Sequence, residues 1–181
     1  MHRVEPLPRF RNGVVLRRLS AADLAAFQAY RQDVLLGRYQ GWGPTTDAEA
    51  TLFLTQMNTA PLLEPGVWTQ IGIAGSGDGA LIGDIGLLLA ADGQQATIGF
   101  TLRRESQGNG IATHAVLEAM NLVFEHTEAR TVIAVTDARN VPSIRLLERV
   151  GMHRMATGAA WFRGEACVEH TYALSRPEDD Q

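Results

Sequence analysis

The 181-residue chain carries 16 Lys+Arg against 20 Asp+Glu, a formal charge of −4, and every one of those cations is arginine. The missing lysine excludes Schiff-base, pyridoxal-phosphate and P-loop chemistry, each of which needs a lysine amine. The single cysteine, Cys167, excludes an intramolecular disulfide and a Cys-rich zinc site.

Length and a hydrophobic content of 45% predict one globular domain over residues 1–181. The first residues lack the apolar core of a signal peptide. The longest apolar stretch, around 81–91, is broken by Asp84 and glycines and is too short for a membrane span. A cytoplasmic protein without membrane contact is expected. The mildly acidic balance argues against a nucleic-acid partner.

Charge is segregated along the chain. Residues 1–38 carry +4, residues 39–102 carry −6 with no Arg or His, residues 103–163 carry +2 and residues 164–181 carry −4. Such blocks are either solvated surface or the marks of a cationic ligand near the second and an anionic one near the third.

In chain order, 14–19 reads as a strand. Ser20 with Asp23 then opens a helix to about Leu36. A Gly/Pro loop over 37–44 contains Arg38-Tyr39-Gln40-Gly41-Trp42. Thr46 and Glu49 form a capping box for a second helix to about Thr59. Residues 67–74, 80–90 and 95–102 read as an antiparallel meander. A long helix follows from about Gly110 to Glu125, then a β-branched strand over 131–136. Asn140 caps a helix over 141–150, with Pro142 in its first turn. Residues 152–162 and 166–174 form a last hairpin around Arg163-Gly164, and the tail from Arg176 is read as frayed. This order predicts an α+β domain: a mixed, mostly antiparallel sheet of about seven strands with helices on both faces. The strand–helix–strand unit from Gln95 to Thr136 should be a right-handed parallel crossover.

The most informative segment joins the strand ending at Leu102 to the helix after Gly110. Gln107-Gly108-Asn109-Gly110-Ile111-Ala112-Thr113 places glycines and small residues at a helix N-terminus, where free N–H groups and the helix dipole favour a phosphate. An ordinary strand-to-helix turn would look the same on spacing alone. The dinucleotide fingerprint is not matched, because a third glycine is missing.

At these residues the chain resembles the GNAT superfamily of N-acetyltransferases, whose signature is Q/R-x-x-G-x-G/A. The resemblance continues through Ala134–Asp137, Asn140-x-x-Ser143 and Leu146-Leu147-Glu148-Arg149-Val150-Gly151-Met152. The Arg38-Tyr39-Gln40-x-Trp42 loop, Gly83-Asp84-Ile85-Gly86 and the Arg163-Gly164-Glu165 turn are similar to the RimJ/RimL-like branch. It covers nearly the whole chain.

The resemblance implies an acetyl-CoA-dependent N-acetyltransferase acting on a primary amine, either a protein N-terminus or a small molecule. It places acetyl-CoA, as co-substrate, in a gap between splayed parallel strands, here 95–102 and 131–136. It implies pyrophosphate binding by backbone N–H groups from Gly108 to Thr113, with Gln107 opening the loop. Main-chain bonds from Thr101, Leu102 and Arg103 would hold the pantetheine arm. Asn140 and Ser143 match positions that contact the arm or the sulfur. Arg103, Arg104, Arg145 and Arg149 are candidates for the CoA phosphates, or are solvated.

An alkyl ammonium titrates near ~10, so the acceptor must lose a proton before attack. Asp84 is the candidate base, although strand alternation does not decide whether it faces a pocket or solvent. Glu105 and Glu165 are weaker candidates. Many relatives use a tyrosine acid one turn beyond the Ser143 position, and this chain has Leu147 there. Ser143 then relays a proton, or merely satisfies its own helix end. Where the branch commonly has a glutamate, this chain has His114. Tyr39, Trp42 and Trp161 are candidates for the acceptor pocket, or plug the sheet edge. Cys167 and His170 lie three apart in a strand and face opposite sides, against a covalent acyl-Cys route. No metal is expected, since no histidine pair has ligand spacing. An exposed sheet edge suggests a homodimer. The competing function is a non-catalytic acyl-CoA-binding module.

Overall fold

A computed structural model describes residues 5–178. Its strands are β1 (Arg9–Arg11), β2 (Val14–Arg17), β3 (Trp68–Gly75), β4 (Leu81–Leu89), β5 (Gln95–Leu102), β6 (Thr131–Asp137), β7 (His153–Phe162) and β8 (Glu165–Ser175). Its helices are α1 (Leu24–Arg31), α2 (Asp47–Thr59), α3 (Ile111–His126) and α4 (Val141–Arg149). The eight strands form one sheet in the order β1-β2-β3-β4-β5-β6-β8-β7. Every neighbouring pair is antiparallel except β5–β6.

The sheet has one strand more than the sequence predicts. Arg9-Phe10-Arg11 alone is too short to read as a strand, yet Asn12-Gly13 turns it back onto β2. Asn12 (φ 45°) and Gly13 (φ 79°) both sit in the left-handed region that such a two-residue turn requires. Ion pairs then fasten β1 to α3: Arg9 donates to Glu118 at 2.6 Å and to Glu125 at 2.7 Å.

The first helix also stops earlier than its sequence suggests, at Arg31 rather than Leu36. Asp33 explains this. Its Oδ1 accepts the backbone N–H groups of Leu35 and Leu36, both at 3.0 Å, which competes with helical bonding and swings the chain toward the sheet. The second helix keeps its predicted capping box, with Glu49 N–H on Thr46 Oγ1 and Thr46 N–H on Glu49 Oε2.

Two cores flank the sheet. The larger packs α3 and α4 against one face and includes Leu16, Ile85, Leu87, Met120, Leu122, Leu147 and Tyr172. Burying each such side chain contributes about 1.5–3 kcal/mol before chain entropy is counted. The smaller packs α1 and α2 on the other face through Leu19, Phe27, Tyr30, Ala50, Leu54 and Leu81. A bulge opposite Ile73/Ala74 inserts Ile82 into β4. That extra residue shifts the alternation, so Ile82 joins the larger core and Leu81 the smaller.

Arg176, the first residue of the tail read as frayed, is anchored, while residues 179–181 lie outside the described residues. Arg176 N–H bonds the Arg130 carbonyl at 2.7 Å. Its guanidinium donates to the carbonyls of Phe124, Thr127 and Ala129, closing the C-terminal end of α3.

Candidate active site

The parallel pair β5–β6 is in register only at Gln95/Thr131, Ala96/Val132 and Thr97/Ile133. Beyond that point β5 stays on β4 and β6 stays on β8, so the two strands part. A cleft of about 900 Å³ opens there. It runs from the loop after α1, past Phe100–Leu102, to the N-terminal turns of α3 and α4.

Strand alternation decides which backbone groups face this gap. Arg103 N–H donates to the Ile82 carbonyl, and the Gln95 carbonyl is bonded by Ala90 N–H. Odd-numbered positions of β5 therefore point at β4, and Phe100 and Leu102 point into the gap. This corrects the predicted set. Thr101 lines the cleft but turns its main-chain groups to β4, Arg103 spends its N–H on the Ile82 carbonyl and its own carbonyl on Ser106 N–H, and Phe100, which sequence reasoning missed, takes the place beside Leu102. The Thr101 hydroxyl instead accepts the Trp42 indole N–H at 3.2 Å, and Arg103 Nε donates to Ser106.

The loop into α3 behaves as its glycines suggest. Gly108 (φ 83°) and Gly110 (φ 76°) adopt left-handed backbone. Gly110 precedes the first turn of α3, and no side chain caps that turn. The N–H groups of Ile111, Ala112 and Thr113 thus open onto the cleft, which Gln107, Gly108 and Gly110 also line. Asn109 sits in the same turn without lining the cleft. Arg145 and Arg149 project from α4 along this end, with Arg149 Nη1 3.4 Å from Thr113 Oγ1. Arg104 also lines the cleft, where it grips Asp33.

Asn140 and Ser143 come together at the start of α4. Asn140 Oδ1 accepts Ser143 N–H at 3.4 Å, as an N-cap does, and both residues line the cleft. No partner among the described residues engages the Ser143 hydroxyl, so its role is not to satisfy its own helix end. Leu147, one turn on, is buried in the larger core.

Asp84 is not brought to the cleft. It is 0% exposed. Gln70 Nε2 donates to Oδ1 at 2.6 Å, and Arg31 Nη2 donates to Oδ2 at 2.7 Å. The Tyr30 hydroxyl adds a short bond to Oδ2. Burial, reinforced by the charge of Asp84, holds the Tyr30 hydroxyl far above its ordinary range, so it remains a donor. A carboxylate with both oxygens spent and no solvent contact is an ion-pair partner, not a base open to an amine.

The aromatics divide. Tyr39 lines the cleft, with the guanidinium of Arg38 5.2 Å and that of Arg139 5.6 Å from its ring. Trp42 is structural: its ring lies 4.4 Å from the Arg31 guanidinium. Trp161 is 76% exposed on β7 and does not line the cleft. Its neighbour Arg163 does reach the loop, donating to the carbonyls of Gln40, at 3.0 Å, and Trp42.

Three of the six acids in the 39–102 block serve turns and caps, and a fourth is the buried Asp84. Glu49 caps α2, Asp78 accepts Ala80 N–H and Asp92 accepts Gln94 N–H. Desolvation and then the charges of Asp137 and Glu169 push the Cys167 thiol above its ordinary range, which disfavours the thiolate. Among the described residues, no group of three or more His, Cys, Asp or Glu could hold a metal.

A parted parallel strand pair beside an uncapped helix N-terminus is suited to an extended, phosphate-bearing acyl carrier, and so to an acyl-transfer enzyme. Residues 14–153 match the model of the Acetyltransferase (GNAT) domain, and the chain belongs to this family of acetyltransferases. Among relatives, a protein described as the probable N-acetyltransferase YjcK of Bacillus subtilis (strain 168) is 31% identical over 116 residues. That match covers 62% of this chain and 64% of the relative, so just under two thirds of its length. A GNAT-family acetyltransferase from Bacillus anthracis superposes with a TM-score of 0.82 at 20% identity, over 93% of this chain and 98% of that one. A RimL ribosomal alpha-N-protein acetyltransferase, solved with coenzyme A, superposes at 0.78 with 17% identity, over 91% and 95%. At these identities the structural likeness shows the fold.

Proposed function

We propose that this acetyltransferase moves the acetyl group of acetyl-CoA directly to a primary amine, as a member of the RimJ/RimL-like branch. The observation that carries this is the gap between β5 and β6, placed at the uncapped start of α3. Backbone N–H groups of Ile111, Ala112 and Thr113 hold the pyrophosphate, with Arg145 and Arg149 as the side-chain cations beside it. The pantetheine arm lies along the gap-facing edge of β5 as an added strand. The N–H of Leu102 or Phe100 donates to the thioester carbonyl as it gains negative charge. Ser143, with its hydroxyl uncommitted, positions the sulfur and relays a proton to the departing thiolate.

The acceptor enters past Tyr39. Since Asp84 is sealed against Arg31, the proton leaves the ammonium through water. The second reading, a non-catalytic acyl-CoA-binding module, draws on that same sealed carboxylate. Incubating the protein with labelled acetyl-CoA and a mixed pool of amines and peptides separates the two. Mass spectrometry finds a labelled amide with thiol release if transfer occurs. Binding of CoA without any labelled product supports the module.

A further inference from the structure

Along the cleft-lining edge of β5 each carbonyl already takes one side-chain hydrogen bond and keeps one lone pair. The gap-facing carbonyls are those of Phe100 and Leu102, and each already receives a glutamine amide. Gln40 Nε2 donates to Phe100 O at 3.1 Å, and Gln107 Nε2 donates to Leu102 O at 2.8 Å. The matching N–H groups have no strand partner, because β6 pairs with β5 only as far as Thr97. Gln40 is itself braced from behind, since Arg163 at the tip of the β7–β8 hairpin donates to its backbone carbonyl at 3.0 Å. Gln40, Phe100, Leu102 and Gln107 all line the cleft.

We infer that Gln40 is a specificity-determining positioning residue, which masks the Phe100 carbonyl so that this part of the cleft accepts an acyl carbonyl and thereby distinguishes acetyl-CoA from free CoA. The inference rests on the proposed acetyl-CoA reading of the cleft. A bare peptide edge alternates donors and acceptors. With Phe100 O unmasked, an acyl oxygen drawn to the neighbouring N–H would face a second lone-pair-bearing oxygen across the same gap. The masked edge presents the donor beside a carbonyl that has one lone pair already engaged. Free CoA has a thiol where the carbonyl would be, so it gains nothing from the mask. Arg163 acts through Gln40 and does not touch the ligand.

The test is calorimetric titration of the whole protein with CoA and with a non-hydrolysable acetyl-CoA analogue that keeps the carbonyl. Gln40→Leu keeps bulk and removes the donor. The preference for the acyl form should fall by about five-fold, the scale of one net hydrogen bond, while CoA affinity stays within about two-fold. Arg163→Ala, at an exposed hairpin tip, should shift the preference the same way by less. The double variant should be no worse than Gln40→Leu. If Gln40→Leu fails to fold, Arg163→Ala decides by itself. An unchanged preference, or an equal loss for both ligands, overturns the inference and leaves the acetyltransferase reading standing. Failure of the unaltered protein to bind either ligand overturns both.

Discussion

Arg104 grips the carboxylate of Asp33, 71 residues away in sequence, with Nη2 at 2.9 Å from Oδ1. The same Oδ1 ends the first helix by accepting the N–H groups of Leu35 and Leu36. One side chain thus stops α1, aims the loop bearing Tyr39 and Gln40 at β5, and ties that loop to the turn before α3.

The Arg104 guanidinium, helped by the two backbone N–H groups, draws the Asp33 pKa down to about 2. A carboxylate with a folded pKa below its unfolded value stabilises the fold above the unfolded pKa, near ~4, and that stabilisation is lost as pH falls toward about 2. Carboxyl NMR of the folded protein should show Asp33 still ionised at pH 3, and Arg104→Ala should raise its titration toward the ordinary range, with the Leu35 and Leu36 N–H groups keeping part of the depression. The pair is exposed, so global stability should change little. An Asp33 that titrates normally in the unaltered protein would refute the clamp.

Asp84 should prove structural. Removing one partner of a buried ion pair typically costs about 3–5 kcal/mol, because the other charge is left uncompensated. Asp84→Asn leaves the Arg31 guanidinium in that state, stacked between Phe27 and Trp42. Urea denaturation should show a loss of this order, with the loop disturbed through Trp42. Full stability with abolished turnover would restore Asp84 as the base.

Asn140 and Ser143 should separate cleanly. Asn140→Ala removes an N-cap and should lower stability by about 1 kcal/mol, read as a shift in denaturation midpoint. Ser143→Ala leaves the cap intact, since Ser143 takes part through its backbone N–H. It should leave stability within about 0.5 kcal/mol while lowering kcat about ten-fold or more. Unchanged turnover in both variants would remove the chemistry from α4.

At Gly110 the left-handed backbone (φ 76°) disfavours any side chain, although the space around a Cβ is open. Gly110→Ala should therefore cost about 1 kcal/mol through backbone strain and reorient the first turn of α3. CoA affinity should fall with it, while an ADP-only ligand should lose as much as CoA, because both use the same N–H groups. A loss confined to the pantetheine-bearing ligand would place the pyrophosphate elsewhere.

Much of the molecule was legible before its structure. Periodicity and caps located four helices and seven of the eight strands, because those signals are local. The eighth, β1, carried its own local sign in Asn12-Gly13, which three residues of Arg-Phe-Arg were too short to confirm. The glycine turn before α3 was equally local, since glycines at a helix start mark backbone that other residues rarely adopt.

What sequence by itself determined is the chemistry of the parts: no lysine, an arginine-only set of cations, a glycine-bearing helix start and an Asn140/Ser143 helix opening. Tertiary structure decided which parts face one another. Asp84 reads as a candidate base until Tyr30, Arg31 and Gln70 close over it. Thr101 reads as a ligand of the cleft until strand pairing turns its backbone toward β4 and Phe100 takes the gap. Gln40 stands in the sequence only as one residue of the Arg38–Trp42 loop until Phe100, 60 residues on, arrives beside it. The physical reason is common to all three. The direction of a strand's hydrogen bonds and the partner of a buried charge are set by which segments pack together, and no window of sequence contains both sides.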